Sequence, residues 1–259
     1  MQFSHMLKPK ESVMTKTDLY KTAPRLYVQN SLHPGKEVVL YGAQAHYLIN
    51  VMRAPKGAYI RLFNGVDGEW VGTVEGVTKR DISIHLKEKT HQQEVLPSVA
   101  LFFSPIRKHR QDFLIEKATE LGVTALHPIL MHHTQIKAIK KDKVEAQVVE
   151  ASEQSERLTV PDVHALISFK EMLASWPKDA LLHVGCARQR CPSLMSIAQK
   201  KSVSAILIGP EGGFSEAELK LLAAAPFVRF FSLGRGVLRA ETAALSALSF
   251  LKGCRAEES

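Results

Sequence analysis

VSAILIGPEGGFSEAELKLLAA, residues 203–224, is the stretch whose reading decides the fold. Val203 to Ile208 form a short aliphatic run, the composition of a strand buried on both faces. Gly209, Pro210, Gly212 and Gly213 then interrupt it around a single acid, Glu211. Ser215 stands three residues before Glu218, the spacing of a reciprocal helix cap, so a helix opens there and runs to about Ala225. The unit is strand, glycine-rich turn, helix. A turn needs one or two residues of special backbone geometry. Three glycines and a proline around an acid point instead to a backbone that passes close to a ligand.

The alternation continues on both sides. Downstream come a strand at Phe227–Leu233, a second glycine turn and a helix at Ala240–Lys252. Upstream, strands at Val99–Phe103, Ala125–Leu130 and Ala180–Val184 alternate with three helices. The first spans Lys108–Leu121 and is closed by Gly122 as a left-handed cap; the others are Val144–Glu156 and Phe169–Ser175, the last opened by Ser168 and Glu171. Strands alternating with helices of this length predict an α/β domain built on a parallel sheet. Ligands of such sheets collect beyond the carboxyl ends of strands. The strand ends His183–Cys186, Gly209–Gly213 and Leu233–Arg239 therefore frame a candidate cleft.

The first part of the chain reads differently. Arg25–Val28, Tyr59–Phe63, Glu69–Val74 and Asp81–Leu86 are short β-like runs separated by Pro34-Gly35, Asn64-Gly65 and Asp67-Gly68, as in a small β-barrel. One helical stretch lies at about Ala43–Met52, and Lys87–Glu94 reads as a polar linker. Residues 1–22 show no sustained period and are expected to be a disordered extension. The expected organisation is thus an extension at 1–22, a barrel at 23–92 and the α/β domain at 93–259.

The formal net charge of +8 fits a polyanionic partner, although solubility alone also accounts for it. No apolar run approaches the roughly 20 residues of a membrane span, and the first residues lack the apolar core of a secretory signal. A cytosolic protein without membrane partners is expected. Cys186, Cys191 and Cys254 read as reduced thiols, and no metal site is expected. There is no GxxxxGK[ST], GxSxG or HExxH, and the glycine pair Gly234 and Gly236 is followed by Arg239 where a dinucleotide fingerprint needs a small residue.

IGPEGGFSE at 208–216 with LGRGVLRAETA at 233–243 resembles the signature of the 16S ribosomal RNA uracil-N3 methyltransferase family. EKATELGV at 116–123 and EASEQSER at 150–157 resemble two further blocks of that family, in the right order. MHHT at 131–134 departs from it, standing where the family has an arginine before Ser or Thr. The resemblance covers about residues 24–255. It implies a PUA-like β-barrel that binds RNA, followed by a SPOUT domain with a C-terminal trefoil knot. It further implies a homodimer, S-adenosyl-L-methionine as cofactor, and 16S ribosomal RNA or the assembled small ribosomal subunit as partner.

Carried onto this chain, the cofactor would be held by His183, Gly185, Ile208, Gly209, Pro210, Glu211, Gly212, Gly213, Ser232, Leu233, Gly234, Val237, Leu238 and Arg239. Arg239 is also the candidate for stabilising charge on the uracil, with an ion pair to Glu241 or Glu211 as the competing reading. Glu241 itself reads first as a helix-start acid. Arg25, Arg53, Arg107, Lys108, Arg110, Lys117 and Arg157 are the candidates for RNA contact. For Arg107, Lys108 and Arg110 a solvated helix start competes with phosphate binding, and for Lys117 an exposed pair with Glu116 does. Two other functions stay open at this point: a SPOUT methyltransferase acting on another RNA, and an RNA-binding assembly factor without catalysis.

Overall fold

A computed structural model describes residues 16–94, 97–187, 191–198 and 203–256. The chain divides into two compact units, Met1–Gln93 and Glu94–Ser259.

The first unit runs α1 (Lys16–Thr22), β1 (Arg25–Tyr27), β2 (Glu37–Tyr41), α2 (Gly42–His46), a π-helical turn at Tyr47–Val51, β3 (Tyr59–Phe63), β4 (Glu69–Val77) and β5 (Asp81–His91). Its strands form one curled sheet in the order β1-β3-β4-β5-β2. Among the described residues no ladder joins β1 to β2, so the expected barrel is an open, curled sheet. Alternate residues of β2, β3 and β5 point inward, and Val38, Leu40, Ile60, Leu62, Ile82, Ile84 and Leu86 fill the core with Trp70 and Val74.

Three details differ from the expectations. Lys16–Thr22 is a helix, not part of a structureless leader, and Tyr20 packs its ring edge-on against Tyr59 at 5.0 Å. Residues 1–15 lie outside the described residues. β2 was not anticipated. Lys87–His91 is no linker but the end of β5, paired with Glu69–Val71 of β4.

The second unit runs β6 (Ala100–Phe103), α3 (Lys108–Glu120), β7 (Ala125–Leu130), α4 (Lys141–Gln154), β8 (Asp162–Val163), β9 (Ile167–Ser168), α5 (Phe169–Ala174), β10 (Leu182–Gly185), α6 (Leu194–Ala198), β11 (Ala205–Ile208), α7 (Glu216–Ala224), β12 (Val228–Phe231) and α8 (Ala240–Ala256). The sheet order is β12-β10-β11-β6-β7-β8, with β9 also on β7, and every ladder is parallel.

Alternation along each strand separates two cores. Leu101, Phe103, Ile206 and Ile208 pack under Leu114, Ile115 and Ala118 of α3, Val148 of α4, and Ala244, Ala247 and Leu248 of α8. Phe102, Ala205, Leu207, Leu182 and Val184 face the other way, under Phe169 and Met172 of α5 and Leu222 of α7. The sheet is covered by helices on both faces, which is why its strands read as continuous apolar runs. Both expected capping boxes are present, Ser168 with Glu171 and Ser215 with Glu218. Gly122 closes α3 at φ 95°, a left-handed conformation that glycine adopts without the Cβ clash.

β10, β11 and β12 lie side by side, so their carboxyl ends open onto one place. No helix among the described residues is long and apolar enough to cross a membrane.

Candidate active site

The carboxyl ends of β10, β11 and β12 surround a cavity of about 620 Å³, within the range of small-molecule sites. Gly185, Cys186 and Ala187 line it after β10, residues 208–214 after β11, and Leu233, Gly234 and residues 236–240 after β12. Leu219, Phe230, Phe231 and Ala243 complete the wall. Apolar side chains thus alternate with open backbone, an arrangement that suits a flat aromatic base held by main-chain groups.

The glycines have separate reasons to be there. Gly213 sits at φ 73°, where a side chain would be strained, and its N–H donates to the Pro210 carbonyl at 2.8 Å to close the turn. A Cβ on Gly212 would meet the Cβ of His133 at 3.0 Å. His133 leans on this loop: its Nδ1 lies 3.0 Å from the Gly213 carbonyl oxygen, so it donates there when Nδ1 carries the proton. The segment bearing His133 is itself anchored. The Glu218 carboxylate accepts from the His132 N–H at 2.7 Å, and the Thr134 hydroxyl bonds Ser104 at 2.8 Å in the interior. MHHT, the segment without the expected arginine, therefore buttresses the glycine loop.

Of the residues expected to hold the cofactor, all but His183 and Ser232 line the cavity. His183 alternates with the core residues Leu182 and Val184, is 1% exposed, and is kept neutral by burial, which lowers its pKa. Ser232 acts on the backbone: its hydroxyl accepts from the Gly234 N–H at 3.1 Å, and its own N–H and carbonyl bond Pro192 and Leu194.

These bonds also bring Cys191 beside the end of β12, where the Cys186 N–H already donates to the Phe231 carbonyl at 2.9 Å. The sulfur atoms of Cys186 and Cys191 come together there; Cys254 is free.

Charge at the rim is unevenly shared. Arg110, in the first turn of α3, bonds the Glu211 carboxylate through Nη1, and its Nε lies 3.7 Å from Oε1 of Glu241. The second Glu241 oxygen is buried without a hydrogen-bond partner. Both acids once considered as partners for Arg239 are therefore held by Arg110. Arg239 lines the cavity, is exposed, and makes no ion pair among the described residues.

The residues expected to meet RNA fall into two groups. Arg53, Arg107 and Lys108 are exposed, and Arg53 has the left-handed φ of 51°. Lys108 pairs with Asp112 at 2.7 Å along the helix. The others already have partners within the chain. Lys117 reaches Glu116 and Glu120, both at 2.7 Å, and those bonds raise its pKa. Arg157 is 9% exposed and donates to the Thr119 carbonyl at 2.5 Å, with burial lowering its pKa to about 10. Arg25 is 7% exposed, with Nε 2.5 Å from Glu69 and the guanidinium 3.7 Å over the Phe63 ring. His46 is exposed, whereas Phe63 and Trp70 are buried in the core.

Sequence reading did not single out His133 or the aromatic walls Phe214, Phe230 and Phe231. The aromatics carry no signal distinguishing them from core residues, and His133 stood out only as a departure from a motif.

Comparison with known proteins agrees with this geometry. The RNA methyltransferase domain family matches residues 93–252, and the RNA methyltransferase PUA domain matches 40–87. Ribosomal RNA small subunit methyltransferase E of Rickettsia conorii is 31% identical over 239 residues, covering 90% of this chain and 98% of that protein. The crystal structure of ribosomal RNA small subunit methyltransferase E from Neisseria gonorrhoeae, bound to S-adenosyl methionine, superposes with a TM-score of 0.81 at 27% identity over 89% of this chain and 97% of that one. A Legionella pneumophila methyltransferase in complex with the same cofactor gives 0.79 at 26%, over 89% and 97%. With a family match across more than half its length and a relative aligned almost end to end, the chain belongs to the ribosomal RNA small subunit methyltransferase E family.

Proposed function

We propose that this protein methylates N3 of a uridine in 16S ribosomal RNA of the small subunit, using S-adenosylmethionine. The observation that carries the reading is the cavity at the ends of β10, β11 and β12, walled by glycine loops and rimmed by Arg239, which makes no ion pair among the described residues. Relatives of the same fold hold S-adenosylmethionine, and the cavity fits it. Phe214, Phe230, Phe231 and Leu219 offer apolar walls for the adenine, and the segments at 208–213 and 233–238 offer backbone groups for the ribose and the amino-acid end.

When bound, the cofactor supplies an electrophilic methyl group on a sulfonium. The chain's own part is to favour the uracil anion, because N3–H is a weak acid and N3 is a nucleophile only without its proton. A guanidinium at position 239 interacts weakly with neutral uracil and strongly with the anion, which is the differential binding that lowers a barrier. Of the cations expected to meet RNA, Arg53, Arg107 and Lys108 are exposed to phosphates. The same reading includes a cytosolic homodimer and a C-terminal trefoil knot. In its support, β12 returns to the far side of β10 from β11 before α8 begins.

Nucleoside mass spectrometry of 16S ribosomal RNA from cells with and without the gene tests the reading. One 3-methyluridine should disappear with the gene and return with the wild-type copy. A lost 2′-O-methyl group in its place would reassign the reaction, and unchanged RNA would remove it.

A further inference from the structure

We infer that Arg110 is a positioning residue of the active site: by holding Glu211 and Glu241 it keeps both carboxylates off Arg239. The inference rests on the reading of Arg239 given above.

Two carboxylates and one guanidinium meet at the cavity rim. Glu211 belongs to the glycine loop that lines the cavity, and Glu241 to the first turn of α8. Between them stands one cation, Arg110, bonded to Glu211 and 3.7 Å from Glu241. Its side chain is 22% exposed, and that of Glu241 10%. One oxygen of Glu241 is buried and unpartnered, so this carboxylate has unspent capacity to accept a hydrogen bond.

Arg239 is the natural second claimant. It lines the same cavity as Glu211 and precedes Glu241 by one residue, Ala240. A guanidinium forks readily onto a carboxylate, and such a pair would draw Arg239 away from the substrate. It stays out of any ion pair among the described residues while Arg110 serves both acids. Arg110 also joins the loop after β11 to the start of α8, two of the segments that form the cavity wall. Its place in the basic run Arg107-Lys108-His109-Arg110 suggested phosphate binding, but its donors face inward, to carboxylates.

The test is a double-mutant cycle in the full-length protein, read as single-turnover methylation of small ribosomal subunits at saturating S-adenosylmethionine. Calorimetry of the cofactor and the salt dependence of RNA affinity are measured alongside. Arg110→Ala should slow the chemical step by roughly 100-fold, the cost of a misplaced catalytic group, and leave the salt slope of RNA binding unchanged. In an Arg239→Ala background the same change should cost less than about threefold, because no arginine remains to be captured. Arg110→Ala with Glu211→Gln and Glu241→Gln should recover at least about tenfold over Arg110→Ala alone, since the trap is gone.

A smaller salt slope with additive losses would make Arg110 a phosphate contact and overturn the inference. Loss of thermal stability without recovery in the triple variant would make it purely structural and overturn it as well. If Arg110→Ala does not fold, Arg110→Lys carries the test: an intermediate loss, relieved by the same two glutamines. Full activity of Arg239→Ala would sink the reading of Arg239 itself. A slow Arg239→Ala beside a fast Arg110→Ala would sink this inference alone.

Discussion

The two units each gather charges around glutamate, and they do so in opposite ways. In the first unit Glu69 is 2% exposed and receives Arg25 at 2.5 Å, Arg61 at 3.6 Å, His91 at 3.2 Å and the Thr90 hydroxyl at 2.7 Å. Donors converge on one acceptor and the set is closed. At the rim of the second unit the arithmetic is reversed. One arginine serves two carboxylates, a carboxylate oxygen is left over, and a second arginine stands outside the set. A closed set locks a fold, because removing its acceptor strands buried arginine. An open set stores an unmatched charge where a ligand can use it.

The largest effect is expected in the closed set. Glu69→Gln should destabilise the first unit by about 3–5 kcal/mol, the cost of leaving buried arginine uncompensated. Urea unfolding followed by Trp70 fluorescence measures it, with Trp176 reporting the second unit. The pH dependence follows from the same group. Burial pushes the Glu69 carboxyl up, but the hydrogen bonds from Arg25 and Thr90 and the nearby Arg25 and Arg61 charges outweigh it, so it lies below its usual 4.5. A depressed folded pKa contributes stability that is present above the unfolded value and lost as pH falls through the folded one. The unit should therefore weaken below about pH 4.5, and Glu69→Gln should flatten that slope.

In the open set, Arg239→Ala should slow turnover by about 100- to 1,000-fold, as for loss of an oxyanion donor, with cofactor affinity nearly unchanged. Arg239→Lys should restore only part of the rate. If Arg239→Ala instead lowers the melting temperature as Glu69→Gln does, the contrast between the two sets collapses.

A smaller effect is expected at Gly212. Gly212→Val must displace His133, whose Cβ lies 3.0 Å from the position a Cβ would take. Calorimetry should show cofactor affinity falling about tenfold or more, about 1.4 kcal/mol, in a protein that still folds. Normal affinity would mean that the loop tolerates the push and needs no buttress.

The smallest effect separates the exposed cations from the engaged ones. Arg107→Ala should reduce the slope of log affinity for RNA against log salt by about one, uniformly across sequences. Arg157→Ala should leave that slope alone and cost stability instead.

What was legible in the chain depended on how far apart the interacting residues lie. Ser168 with Glu171, Ser215 with Glu218, and the Gly122 cap are local devices, and each appears where its spacing placed it. The glycine loops were legible because backbone exposure has a residue type. Arg110 was not, since its Glu211 partner lies 101 residues away and the three residues before it, Arg107, Lys108 and His109, are basic. Arg25 and Arg157 were opaque for a related reason: composition reports a charge but not whether the fold buries it, as it does both of these. β2 escaped because Glu37–Tyr41 passes straight into a helix that begins at Gly42.

The far end of β5 escaped because Lys87, Glu88 and Lys89 look like solvent-loving linker residues. Those side chains are exposed while the backbone beneath them pairs with β4, and beyond Leu86 no described strand pairs with the other side. A strand edge can invite the edge of another molecule, and lysines standing over it make that approach costly. The charges that disguise this strand as a linker are thus of the kind that discourages such pairing. Neutralising Lys87 and Lys89 would leave the fold as it is and make the protein sticky.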